Sequence, residues 1–132
     1  MVDVRAMFAA DSAAQAAGME LLDHGPGSAR TAMAIGAEHV NGHEGAHGAV
    51  IFLLADVAFA MACNSHGPVT VGRSAQIEYL RPAARGDRLE AVATERMRNG
   101  RNGIYDVSVT RPSDGALIAE FRGNSRELPS SR

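Results

Sequence analysis

The chain has no lysine, no tryptophan, one cysteine and two tyrosines in 132 residues. Each shortage removes a class of chemistry. Without lysine, no side-chain amine can form a Schiff base with a carbonyl substrate; all 13 basic residues are arginine. A lone cysteine, Cys63, excludes a disulfide framework within one chain and reads as a small buried hydrophobe. The net charge of −2 gives no basis for binding nucleic acid or a charged membrane surface. The longest apolar run, residues 49–63, is shorter than the roughly 20 apolar residues a membrane span needs, and Asp56 interrupts it. Residues 1–8 hold one acid and one base with no long apolar core, unlike a signal peptide, so the cytoplasm is the expected compartment.

What remains is enough for one domain with a real core. Residues 4–17 are rich in alanine and stop at Gly18, which predicts one short N-terminal helix. Residues 19–23 and 29–35 read as short strands joined by the turn His24-Gly25-Pro26-Gly27-Ser28. Beyond Pro68 the period changes to two. Residues 69–80, 88–98, 104–111 and 116–126 are rich in Val, Ile, Thr and Tyr and predict strands. Their hairpin-length breaks, at 82–87, 99–103 and 112–115, make them antiparallel neighbours. Residues 127–132 read as a frayed tail. The predicted class is α+β: an antiparallel sheet of five to six strands wrapped around one long central helix, plus a short N-terminal helix, in a single domain over 1–132. The helix still needs cover on its far side, which predicts an oligomer.

That central helix organises the chain. Residues 49–63 hold no Gly or Pro and five alanines, a helical composition that is apolar on every face. A carboxylate there is costly to desolvate, and Asp56 is a candidate for chemistry. A polar, glycine-rich loop at 36–47 precedes it, and Gly48 opens the helix. The first N–H groups of a helix lack internal partners and sit at the positive end of its dipole. A glycine there lets a substrate approach a donor suited to a developing oxyanion. Asn41 is a candidate second donor, and His47 orients the loop. Gly48 and Asp56 stand eight residues apart, about 12 Å along a helix. An aspartate cannot span that gap, since catalytic contacts lie near 3 Å. The spacing therefore predicts that both serve one reaction centre only across two subunits, with two composite sites per twofold dimer. His39, His43 and His47 lack the spacing and cysteine partners of a metal site, and no metal is expected. His24 and His66 read as surface turn residues and Asn64 as a helix cap.

The strings Asn41-Gly42-His43, His47-Gly48, Phe52-Leu53-Leu54-Ala55-Asp56-Val57, Ala62-Cys63-Asn64-Ser65, Ile77-Glu78-Tyr79-Leu80-Arg81-Pro82 and Ala119-Glu120-Phe121-Arg122-Gly123 together resemble the hotdog-fold thioesterases of the phenylacetate-degradation type. The resemblance runs over roughly residues 5–127. It implies a hotdog fold and an acyl-CoA thioesterase acting on aryl-acetyl and related CoA esters. It also implies a homotetramer built as a dimer of dimers. By position, Asp56 would attack the thioester or activate water, the Gly48 N–H would polarise the carbonyl, Asn41 would help hold its oxygen, and His47 would flank the loop. CoA is part of the substrate, and no separate cofactor is expected. Arg85, Arg101 and Asn102 are the candidates for its phosphates. Ala49 stands where the family often has a second glycine, and Arg73 falls in a strand where a small or apolar residue is usual; Arg73 is read as facing solvent. Two other readings stay open: a hotdog acyl-CoA hydratase or dehydratase, and a non-catalytic acyl-CoA-binding protein.

Overall fold

A computed structural model describes residues 1–130. In chain order the elements are α1 (Val4–Ala9), α2 (Ser12–Ala16), β1 (Glu20–Gly25), β2 (Ser28–Ala34), a 3-10 turn (Ala37–His39), α3 (Gly48–Cys63), β3 (Thr70–Tyr79), β4 (Arg88–Asn99), β5 (Asn102–Arg111) and β6 (Ala116–Glu127). All strand pairings are antiparallel, and the sheet order is β1-β2-β4-β5-β6-β3. The chain thus leaves α3, lays β3 on the far edge and returns to place β4 beside β2.

The apolar run becomes α3 for the reasons its composition gives, and both ends are tied. His47 is the N-cap, its ring Nδ1 accepting from the Ala49 N–H at 3.2 Å. At the other end Asn64 does more than cap. Its Nδ2 donates to the carbonyls of Ala60 and Thr70, and its Oδ1 accepts from the Thr70 N–H, each at 2.9 Å. One buried side chain therefore ends the helix and fixes the start of β3. His66, expected at the surface, is instead half-buried: its Nε2 lies 2.7 Å from Glu95 Oε1, which also accepts from the Tyr105 hydroxyl at 2.8 Å. A carboxylate on β4 gives a turn histidine a partner the turn sequence does not reveal.

The central strands β4 and β5 alternate as their period requires. On β4 and β5, Leu89, Ala91, Ala93, Tyr105, Val107 and Val109 face α3 and are buried. The opposite face carries cross-strand polar pairs, among them Arg30–Glu90 at 2.9 Å and a bidentate Arg122–Asp106 at 2.7 and 2.9 Å. The closest packing surrounds Phe59, which contacts Tyr105 and Phe121 with ring centroids 5.7 and 5.8 Å away. Its ring lies over Gly123 and Gly72; a Cβ built on Gly123 would stand 2.7 Å from it, and one on Gly72 3.1 Å.

Three local expectations are corrected. Residues 4–17 are not one helix: the chain breaks at Ala10, and Asp11 caps a second helix by accepting from the Ala14 N–H at 3.0 Å. A capping carboxylate competes with continuation of the first helix. The β1–β2 and β4–β5 connections narrow to Pro26-Gly27 and Gly100-Arg101, with Gly27 at φ 70° and Gly100 at φ 61°. Asn102 and Gly103 accordingly start β5. Glu127 ends β6 rather than opening a tail, and the Leu128 N–H still donates to Val69 at 2.8 Å. The expected tail's last two residues, 131–132, lie outside the described residues.

Replacing Gly123 by Ala is expected to lower stability by roughly 1–3 kcal/mol, as overpacking a well-filled core does. A lower urea midpoint at unchanged m-value checks this.

Candidate active site

The loop before α3 is held from both sides. The carbonyl of His39 accepts from the His47 N–H at 2.8 Å, and the Ala46 N–H donates to Ala83 at 2.8 Å. His39 itself is buried, its Nδ1 accepting from the Gly36 N–H at 2.9 Å, so it anchors the loop and does not face a ligand. Asn41 closes a tight turn: its Oδ1 accepts from the N–H groups of His43 at 2.9 Å and Gly45 at 3.2 Å. Among the described residues its Nδ2 has no acceptor. Within that turn Glu44 takes a left-handed φ of 65°.

The loop delivers the chain to Gly48. Among the described residues no acceptor takes the Gly48 N–H, whereas its carbonyl accepts from the Tyr79 hydroxyl at 2.9 Å. A Cβ on Gly48 would lie 3.2 Å from the Tyr79 ring. Glycine here brings a helix-start donor against an aromatic ring. Gly48, Asn41, Tyr79 and Arg81 line one hollow of about 350 Å³.

Asp56 lines a different and larger groove, of about 720 Å³, between α3, β3 and the α1–α2 junction. Asp11, Phe59, Cys63 and Arg73 share that groove. Desolvation, with the charge of Asp11 second, pushes the Asp56 carboxyl above its ordinary value of 3.8. Burial and the neighbouring Asp56 push the Cys63 thiol up to about 12. Cys63 is therefore a protonated thiol at neutral pH and not a nucleophile. Arg73 is exposed and also borders the groove, so facing solvent and lining the site are not alternatives for it.

Within one chain, then, the structure brings Gly48 and Asn41 together and keeps Asp56 apart. His47 is exposed beside the first pair. The three expected phosphate ligands divide. Arg85 lies before β4 and Arg101 beyond its far end, about 35 Å apart by strand rise. Asn102 has its Oδ1 occupied, accepting from Arg73 at 3.3 Å and Arg126 at 3.2 Å. It gathers arginines at the β4–β5 hairpin. Asp11 and Tyr79 border the two hollows but do not stand out in the sequence. The alanine-rich run around Asp11 masks it, although Asp-Ser-Ala-Ala is itself a helix-start pattern. No three His, Cys, Asp or Glu among the described residues gather as a metal site would require. No helix among them is long and apolar enough to cross a membrane.

A long helix clasped by a six-stranded antiparallel sheet is the hotdog fold, and sequence comparison agrees. Residues 43–118 match the profile of the thioesterase superfamily. The chain belongs to that superfamily: it is a hotdog-fold thioesterase. It is 36% identical over 126 residues to the acyl-coenzyme A thioesterase PaaI of Escherichia coli (strain K12), covering 96% of this chain and 89% of that protein. The solved structure of E. coli PaaI superposes with a TM-score of 0.92 over 96% of this chain and 91% of that one. A mutant structure of the phenylacetic acid degradation protein PaaI of Thermus thermophilus is 38% identical, with a TM-score of 0.86 over 89% of this chain and all of that one (100%).

The raised Asp56 carboxyl has a consequence for stability. At low pH the group is neutral in both folded and unfolded chains, and its burial carries no charge penalty. As pH rises from the ordinary carboxylate value through the raised folded value, the unfolded chain ionises first and the fold loses stability. Asp56→Asn is expected to remove that loss. Its melting temperature should exceed the wild type's near neutral pH, and the gain should fade as pH drops well below the ordinary value of 3.8, where the carboxyl is neutral in both folded and unfolded chains. Thermal melts across that range check this.

Proposed function

We propose that the protein hydrolyses acyl-CoA thioesters, with aryl-acetyl and related acyl groups as the substrate class. The observation that carries this reading is the stripe of α3 left partly open by its own sheet. Ala49, Phe52, Leu53, Asp56 and Ala60 are exposed or half-buried, at helical spacing, on a helix whose other residues from Ile51 to Cys63 are buried. Beside it the edge strand β3 is exposed, with Val71 at 42% and Tyr79 at 51%. A second copy of this chain fits both features: it covers the stripe, pairs the edge, and can set its own Gly48 near the first chain's Asp56. Each dimer then carries two composite sites, and two dimers pair into a homotetramer.

In this reading the thioester carbonyl accepts from the Gly48 N–H of one chain, with the Asn41 Nδ2 as second donor and His47 flanking the loop. Asp56 of the other chain either deprotonates a water that attacks the carbonyl, or attacks it directly to give a mixed anhydride that water opens. Carbon–sulfur cleavage expels the CoA thiolate, which leaves as the thiol. CoA enters as part of the substrate, and the chemistry uses only carboxylate, amide and water. Arg85, Arg101 and Asn102 are the proposed phosphate contacts, and a single CoA meets both hairpin and loop only across protomers.

Release of free thiol from phenylacetyl-CoA tests the activity. Asp56→Ala and Asp56→Asn are expected to abolish it; turnover in both would refute this role for Asp56, and a hydroxylated product still joined to CoA would indicate a hydratase. Proline at position 48 deletes the oxyanion donor and adds a Cβ 3.2 Å from the Tyr79 ring, which must give by a few tenths of an ångström. Gly48 is the first helical residue, where proline is tolerated, and His47 at φ −62°, ψ 134° already has the backbone that precedes proline. Gly48→Pro is expected to lower kcat about 10²- to 10³-fold, the usual loss for one oxyanion donor. Co-refolded Gly48→Pro and Asp56→Ala chains should regain activity, up to about a quarter of the wild type's with random twofold pairing, because a mixed dimer rebuilds one intact site. No regain would rule out the two-chain site.

A further inference from the structure

Asp11 enters the groove from the α1–α2 junction. Its Oδ1 accepts from the Ala14 N–H at 3.0 Å and so caps α2. Asn or Ser would cap a helix as well as Asp does, and α2, at five residues, is too short to draw much from a charge at its start. The cap therefore accounts for the oxygen and not for the charge. Yet Asp11 is half-buried and borders the same groove as Asp56.

The other ionisable groups around that groove are Arg73 and Cys63. Arg73, a cation from β3, is held towards the neutral Asn102 Oδ1 on β5 at 3.3 Å, and the Asp56 carboxyl is pushed up despite it. Cys63, from α3 itself, holds its proton at neutral pH. His47 of a second copy joins them in the two-chain reading. Among the described residues Asp11 is the acid that shares this partly dehydrated space with Asp56.

We propose that Asp11 is a positioning residue of the active groove: it acts through Asp56 and sets the lower pH limit of turnover. The inference rests on Asp56 being the reacting carboxylate. Two like charges in one groove of low dielectric resist joint ionisation. Both routes open to Asp56 need its ionised form, so Asp11 delays that form until higher pH and in return leaves Asp56 a stronger base. The direction found for the Asp56 carboxyl, with the Asp11 charge as its second cause, agrees.

The test is the pH dependence of kcat/KM for phenylacetyl-CoA in the wild type, Asp11→Asn, Asp11→Ser and Asp56→Asn. Asp11→Asn keeps the cap and removes the charge. It is expected to stay active near pH 8, with its acid limb displaced to lower pH, so that kcat/KM at pH 5 relative to pH 8 rises severalfold. Asp11→Ser should do the same. The wild-type limb should itself move towards that of Asp11→Asn in 1 M salt, where the screening length falls to about 3 Å; this arm needs no variant. A merely structural cap would leave the limb in place in every case. Superposed wild-type and Asp11→Asn limbs would overturn the proposal. So would a wild-type limb that ignores salt, or loss of turnover at every pH in variants that melt like the wild type. Asp56→Asn separates the two readings. If it is active, Asp56 is not the reacting group; if it is dead while the Asp11 variants leave the limb unmoved, only the role of Asp11 fails.

Discussion

One carboxylate on an otherwise apolar helix constrains this molecule. A sheet can bury a helix on three sides and stabilise the fold by roughly 25 cal/mol for each Å² of apolar surface removed from water. It cannot do so on the side that carries Asp56 without either a partner for the charge or its neutralisation. The chain resolves this by covering Leu54, Ala55, Ala58 and Met61 completely or nearly so, and leaving the stripe of Asp56 half open. The groove and the displaced carboxyl both follow from that one uncovered stripe.

The rest of the structure makes the uncovered side rigid. His47 and Asn64 pin the two ends of α3, and Asn64 also fixes the first residue of β3. The loop leading to Gly48 is fastened to His39 behind it and to Ala83 beside it. Glycines set the distances: Gly123 and Gly72 admit the ring of Phe59, three residues beyond Asp56, and Gly48 admits the ring of Tyr79. Donor and acid therefore sit on one stiff rod at a separation set by helix rise. In the proposed reaction such preorganisation needs no reorganisation when charge develops, which is where electrostatic stabilisation has its greatest effect.

The fold and the site are separate matters. A hotdog shell is recoverable from alternation and one apolar helix, and similar shells host different chemistries. What distinguishes this chain is which face of α3 stays open and what faces it. Asp11 illustrates the point: as a helix cap it is interchangeable with a neutral residue, and only its place in the groove of Asp56 gives its charge a consequence.

Much was legible in the sequence because it depends on local periodicity. The apolar run at 49–63, the shift to period two after Pro68 and the short breaks between strands specify α3, β3, β4, β5 and β6 to within a residue or two. The distance from Gly48 to Asp56 was legible for the same reason, since helix rise is fixed by the backbone. Sequence spacing did not reveal the sheet order, which sends β3 to the edge and brings β4 back beside β2. It did not reveal the pairing of His66 with Glu95, 29 residues away, nor that Asp11 and Asp56 line one groove. Such contacts join residues that share no period, and only the closing of the sheet around the helix decides them.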